Sequence, residues 1–356
     1  MTPAVPGQAL SAQQAALEPP RAHGAVPAHG LLRAEPEDFV VEEELGFAPA
    51  GSGAHLLLKV KKRNANTHWV ARELARLSAC RPNEVGFAGL KDRRAVALQW
   101  FSVPRPRACV NWAQVRGEGF EVLEAHPHTR KLPRGALAGN HFAVRIHSAP
   151  DEGTTLAARL APRLAEIARC GVPNYFGPQR FGRDGANLDH HGSVAGLPRI
   201  ERGFVLSAAR SLVFNAVLAE RVRAGSWRQL VPGDLANLDG RGSFFAVQQA
   251  DADLDRRCEA QHIHPSGPLW GEGDPPTRGA VLALESRIGE QFALHSALCS
   301  AAGMRQERRS LRLTVRELSC EREAQAVVLR FRLARGGFAT VVLRELIGTA
   351  GEVAEA

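Results

Sequence analysis

The sequence predicts an α+β fold. Strand and helix patterns are interspersed without a repeating strand–helix–strand rhythm, no internal repeat is present, and period-two runs occur in both halves of the chain. At 356 residues the chain is long enough for two domains or for one domain carrying a large insertion.

The elements follow in order. Residues 1–22, rich in Ala, Pro and Gln, read as a mobile, disordered tail. In EDFVVEE, Phe39 and Val41 alternate with Val40 and Glu42, a strand pattern. HLLLKVKK (55–62) alternates again, with Leu56, Leu58 and Val60 on one face and Lys59 and Lys61 on the other. Residues 67–77 place Val70, Leu74 and Leu77 on one helical face, with Asn66 or Thr67 available as N-cap. A short buried strand at 85–90 and a strand at 95–103 flank the polar stretch Lys91–Arg94, so Asp92 falls in a turn between two strands. NHFAVRI (140–146) is a strand, and 155–168 a helix that Pro162 would kink. A Gly- and Asn-rich loop at 173–188 precedes a helix at 207–225, with Ser207 as N-cap and Gly225 just past its end. Residues 230–285 read as strands and long loops, 311–315 and 326–333 as strands, and 338–347 as a closing helix.

Composition narrows the function classes. Hydrophobic residues make up 44% and charged residues 23%, ordinary for a globular protein. Lys and Arg outnumber Asp and Glu by 45 to 37, for a net charge of +8, a balance that attracts polyanions without by itself identifying one. The six cysteines lack CxxC spacing and suit free thiols in a reducing cytoplasm. No secretion signal and no membrane span are expected.

Nucleotide-cradling glycine motifs do not occur, and no GxSxG elbow marks a nucleophilic serine. Cys258, His262 and His264 lie close together, but their spacing fits no standard zinc pattern, so no metal is expected. What remains is GFAGLKDRRAVALQWF (86–101), an acid in a cationic interruption between apolar strands. Read locally, that pattern is more simply a hairpin turn, where Asp is favoured for backbone reasons.

At these residues the chain resembles the TruD family of tRNA pseudouridine synthases. The likeness runs in order through EPEDFVVEE (35–43), the Asp92 segment, GNHFAVRI (139–146), VPNYFGPQRFG (172–182), SLVFNAVLAER (211–221), HPSGPLWG (264–271), GMRQERRSLRL (303–313) and RGGFATVVLREL (335–346). Ala97 and Leu98, where the family often has Thr, and Ala334 and Arg335, where it often has a proline, depart from the pattern without touching an assigned residue.

The resemblance implies a pseudouridine synthase catalytic domain with a mixed, largely antiparallel sheet, spanning 23–152 and 306–350, and an inserted α/β TRUD domain over 153–305. It implies a cytoplasmic, monomeric isomerase that converts uridine, at position 13 of tRNA, to pseudouridine, with tRNA held in a basic cleft and no cofactor. Asp92 would be the catalytic carboxylate, acting as nucleophile at C1′ or C6 or as base at C2′. Phe39, Phe142 and Phe338 would be the candidate stacking aromatics, and Asn140 would read the uracil edge or order the acid. Lys91 or Arg93 could favour the charged form of Asp92. Two alternatives stand beside this reading: a non-catalytic RNA-binding protein on the same fold, and a carboxylate-dependent glycoside hydrolase.

Overall fold

The alternating runs become neighbouring strands of one mixed sheet. The structure is a computed structural model and describes residues 14, 17–106, 108–148, 153–190 and 194–349. By contacts it divides into two units. One comprises Val26–Ala168, Val315–Ala339 and Leu346–Ala356; the other comprises Arg169–Thr314, Met1–Ala25 and Thr340–Glu345. Most of the tail expected over residues 1–22 lies outside the described residues. At its end the Ala22 N–H donates to Glu345 Oε1 at 3.3 Å.

In the first unit the chain lays down β1 (Ala28–Leu32), β2 (Phe39–Glu44) and β3 (His55–Arg63), then helix α1 (Thr67–Leu77). The short β4 (Gly86–Phe87) and β6 (Arg116–Gly117) bracket β5 (Val96–Pro104), and β7 (Phe120–His128) and β8 (Gly139–His147) follow. The Asn66 side chain caps α1 by accepting the His68 N–H at 2.8 Å, and Val70 and Leu74 on its inner face are fully buried. Helix α2 (Gly153–Cys170) keeps Pro162 in its interior.

In the second unit, β9 (Val172–Pro173), α3 (Arg199–Arg223), β10 (Leu235–Leu238), β11 (Phe244–Ala246), α4 (Ala252–Glu259), β12 (Ile263–Leu269), α5 (Gly279–Gln291), α6 (Ala293–Ala301), β13 (Glu307–Ser310) and β14 (Arg312–Leu313) form a mixed module. Its sheet runs β11–β10–β12–β13, with β9 paired to β14. Three expectations are corrected here. The helix expected from residue 207 begins at Arg199, so Ser207 is an interior residue whose hydroxyl accepts from Arg180. The 230–285 stretch contains α4 and the start of α5. Of the strand expected at 311–315, only β14 (Arg312–Leu313) forms, after β13 has ended at Ser310. Helix α3 is long and apolar enough to cross a membrane, but most of that stretch is buried within the protein, as in a core helix.

The chain then returns to the first sheet with β15 (Arg316–Glu323) and β16 (Ala326–Ala334), and closes with α7 (Ala339–Leu346) and β17 (Ile347–Thr349). The main sheet runs β15–β16–β8–β2–β5–β3–β7–β6. Its ladders are antiparallel except β2–β5 and β1–β17, as expected of a mixed, largely antiparallel sheet. Register fixes which side chains share a face. Val41 lies opposite Phe142, Glu43 opposite Asn140, Phe142 opposite Phe331, Val41 beside Ala97, and Ala97 opposite Lys62. That face therefore carries Phe39, Val41, Phe142, Val60 and Leu58, and among them Glu43, Gln99, Lys62 and Asn140.

Removing the α1 cap tests this local account. Asn66→Ala should lower stability by about 1 kcal/mol, read as a shift of the urea midpoint at unchanged m value. No shift would mean that the cap does not help to hold α1.

Candidate active site

Asp92 sits where the chain turns from β4 into β5, and its side chain is 50% exposed. The turn is tied down atom by atom. Thr67, at the start of α1, accepts the Lys91 N–H on its hydroxyl at 3.2 Å and donates that hydroxyl to Gln99 Oε1 at 3.1 Å. Gln99 Nε2 donates to the Gly89 carbonyl at 2.8 Å. The Lys62 ammonium donates to the carbonyls of Ala65 at 2.9 Å, Lys91 at 3.4 Å and Asp92 at 2.7 Å.

A buried ion pair completes the underside. Lys91 Nζ meets Glu43 Oε1 at 2.5 Å, and Glu43 Oε2 accepts the Trp100 N–H at 2.8 Å. Glu43 is fully enclosed, and burial pushes its carboxyl above the usual carboxylate range against the opposing charge of Lys91. The Lys62 ammonium is likewise without solvent contact. Burial pulls it down to about 8, while the negative charge of Asp92 works the other way.

The cation beside the Asp92 carboxylate is neither Lys91 nor Arg93, which sequence proximity suggested. Lys91 is committed to Glu43. Arg33 Nη2 donates to Asp92 Oδ2 at 3.0 Å. The same guanidinium lies over the Phe39 ring, 4.4 Å from its centroid. Arg33 directly follows β1 and takes φ +58°, a left-handed conformation that disfavours a side-chain-bearing residue by roughly 1–2 kcal/mol. Sequence reasoning missed this residue, which is distant in the chain and carries no local pattern.

The expected aromatics take different places. Phe39 and Phe142 are buried edge to face with centroids 5.9 Å apart, and Phe142 also stacks on Phe331 at 5.3 Å. Asn140 is 8% exposed, and its Oδ1 is buried without a hydrogen-bond partner among the described residues, an uncompensated acceptor on the face that carries Glu43. Phe338 is half-buried in the turn after β16, whose Leu333 lies opposite Asn140. The structure thus ties Asp92 to Phe39 through Arg33, and Asn140 to Lys91 through Glu43 and the sheet register. Phe338 lies in the turn after β16, and neither the register nor these contacts join it to the other site residues.

His264 and Arg180 have structural work. His264 holds Asp239 through Nε2 at 2.8 Å and accepts from Arg312 on Nδ1 at 2.8 Å, so both ring nitrogens are engaged within the protein. Arg180 folds its own loop against Ser207 at 2.7 Å.

Comparison with known proteins places this geometry. A family profile described as tRNA pseudouridine synthase D (TruD) matches residues 22–192 and 186–346. The chain is similar to a tRNA pseudouridine synthase D of Methylococcus capsulatus, 46% identical over 335 residues that cover 92% of this chain and 94% of the relative. It is similar to another from Nitrosococcus oceani, 45% identical over 331 residues, covering 90% and 91% of the two chains. Among solved structures it is similar to the crystal structure of a TruD protein from Methanosarcina mazei. The TM-score is 0.69 at 19% identity, covering 94% of this chain and 97% of that one, a likeness of fold.

The buried pair under the turn yields a stability test. Glu43→Gln leaves the Lys91 ammonium without its counter-charge and should destabilise the protein by about 3–5 kcal/mol. The double variant Glu43→Gln with Lys91→Met should recover part of that loss in a denaturation cycle. Additive losses would mean that the two side chains do not act as a pair.

Proposed function

Because this chain belongs to the TruD family of tRNA pseudouridine synthases, we propose that it isomerises uridine to pseudouridine in tRNA. We assign position 13 as its target and Asp92 as its catalytic carboxylate. The observation that carries the assignment is the contrast at Asp92. Its backbone is fixed from below by Lys62 and its neighbouring residue by Thr67, while its carboxylate stands half-exposed beside Arg33. An acid so held keeps its aim and can still reach a reactant.

The reaction breaks the N1–C1′ bond of uridine, turns the uracil while bound, and joins C5 to C1′. The C5 proton is lost and N1 gains one, so substrate and product are isomers. The Asp92 carboxylate can act as nucleophile at C1′ or C6, or as base at C2′. The guanidinium of Arg33 engages one carboxylate oxygen and leaves the other to meet the nucleotide.

The target base has to leave its stack, at a cost of a few kcal/mol. Stacking on an aromatic face returns about 1–3 kcal/mol. Phe338, half-buried, is the least enclosed of the three. Phe39 offers its face only where Arg33 yields it, and Phe142 is packed against two rings. The unpaired Oδ1 of Asn140 suits the N3–H of uracil, the one ring donor of that base besides C–H groups. A glycoside hydrolase would use a second, accessible acid. Glu43, the acid in the same network, is fully buried and paired with Lys91, which favours the isomerase.

Asp92→Asn is the direct test. Single-turnover formation of pseudouridine in tRNA should fall by about 10²–10⁴-fold or more, with tRNA affinity retained. Product at the normal rate would remove Asp92 from the mechanism; sugar hydrolysis unaffected by tRNA would favour the hydrolase. Phe338→Ala should slow turnover by roughly 10–100-fold, the equivalent of one stacked base, with little change in melting temperature. A large fall in melting temperature at normal specific activity would make Phe338 a packing residue only.

A further inference from the structure

Lysine is the wrong residue for an enclosed position in a sheet core unless its ammonium is fully used. Lys62 stands on the face of β3 that also presents Leu58 and Val60, and it has no exposed surface. Its flanking residues Lys61 and Arg63 turn to the opposite side, where they pair with Glu121 and Glu37. An apolar residue at this position would continue the core pattern and avoid a desolvation penalty of several kcal/mol.

Every donor of the ammonium is spent on main-chain oxygen. One goes to Ala65 just beyond β3 and two to the consecutive carbonyls of Lys91 and Asp92. Three acceptors match the three N–H groups of lysine. They converge from two separate segments, so the ammonium clips the catalytic turn to the end of β3. The shortest of the three contacts, 2.7 Å, is to Asp92 itself.

We infer that Lys62 is a positioning residue for the reaction: it sets the place of the Asp92 main chain, and through it the aim of the carboxylate, without touching RNA. The division of labour with Arg33 is one of sides. Arg33 orients the carboxylate from the accessible side, and Lys62 fixes the backbone from the enclosed side. Glu43 and Gln99 hold the flanking residues of the same turn, Lys91 and Gly89. Among the described residues, Lys62 alone grips the residue that carries the acid on its backbone oxygen. The inference rests on the assignment of Asp92 as the catalytic group.

The test compares Lys62→Met, which keeps length and removes charge and donors, with Lys62→Gln, which keeps two N–H donors on a shorter, neutral arm. Each is measured for melting temperature, tRNA dissociation constant and single-turnover rate at saturating tRNA, with Asp92→Asn alongside. Lys62→Met should lose about 100-fold in rate, the scale of an ångström-sized displacement of a catalytic group. Its tRNA affinity should stay within about threefold, because the side chain contacts no solvent or ligand. Lys62→Gln should fall between Lys62→Met and the unaltered protein, and it decides the matter if Lys62→Met does not fold. Either variant, folded at the assay temperature and converting uridine at the unaltered rate, overturns the inference. So does a loss confined to tRNA affinity or to melting temperature. If Asp92→Asn itself remains active, it is the assignment of Asp92 that fails, whatever the Lys62 variants do.

Discussion

The structure around the site depends on one constraint: the buried Lys62, Gln99 and Glu43, embedded in the apolar face of the main sheet, need polar partners, and the turn bearing Asp92 supplies one or more to each. Lys62, Gln99 and Glu43 project from three neighbouring strands into a core that includes Val60, Phe101 and Phe142. Left unpaired, such groups would each cost on the order of several kcal/mol. Carbonyls and the Lys91 side chain from the turn meet them instead. Packing of the core and placement of the Asp92 turn therefore depend on the same contacts, which gives the turn a fixed geometry.

The accessible side follows different physics. There a single exposed ion pair would be a weak restraint, worth at most about 1 kcal/mol. The guanidinium of Arg33 adds the face of Phe39 to its contact with Asp92. A partly exposed contact can yield when a nucleotide arrives, whereas the enclosed contacts cannot exchange with water. The rigid underside and the yielding upper side suit a carboxylate that has to be both aimed and reachable.

Much of this was legible in the sequence because it follows from periodicity. Val70 and Leu74 announce α1, the alternation in 39–44 and 55–63 announces β2 and β3, and the polar break at 91–94 places Asp92 between strands. The fold class and its mixed sheet follow from the same patterns together with the family resemblance. Lys62 was hidden because a lysine ending a lysine-rich strand reads as solvated; its even-numbered position beside Leu58 and Val60 was the available signal. Arg33 had no signal at all, since an ion pair between distant segments leaves no local pattern. Helices α4 and α5 were missed because Ala252–Glu259 is dominated by charge and α5 opens on Gly279 in a Gly- and Pro-rich stretch. The first turns of α3 were missed because Ile200 and Phe204 are exposed and Gly203 interrupts them.

As the proposed catalytic group, the Asp92 carboxylate would work because it is held in one place. Asp92→Glu keeps the acid, its charge and the backbone carbonyl that Lys62 grips, and moves only the carboxylate, by one methylene. Measured as single-turnover pseudouridine formation at saturating tRNA, this variant should be slower by about 100-fold or more at unchanged tRNA affinity. A glutamate enzyme as fast as the unaltered one would contradict the account, because the aim that the buried network provides would then be immaterial to the chemistry.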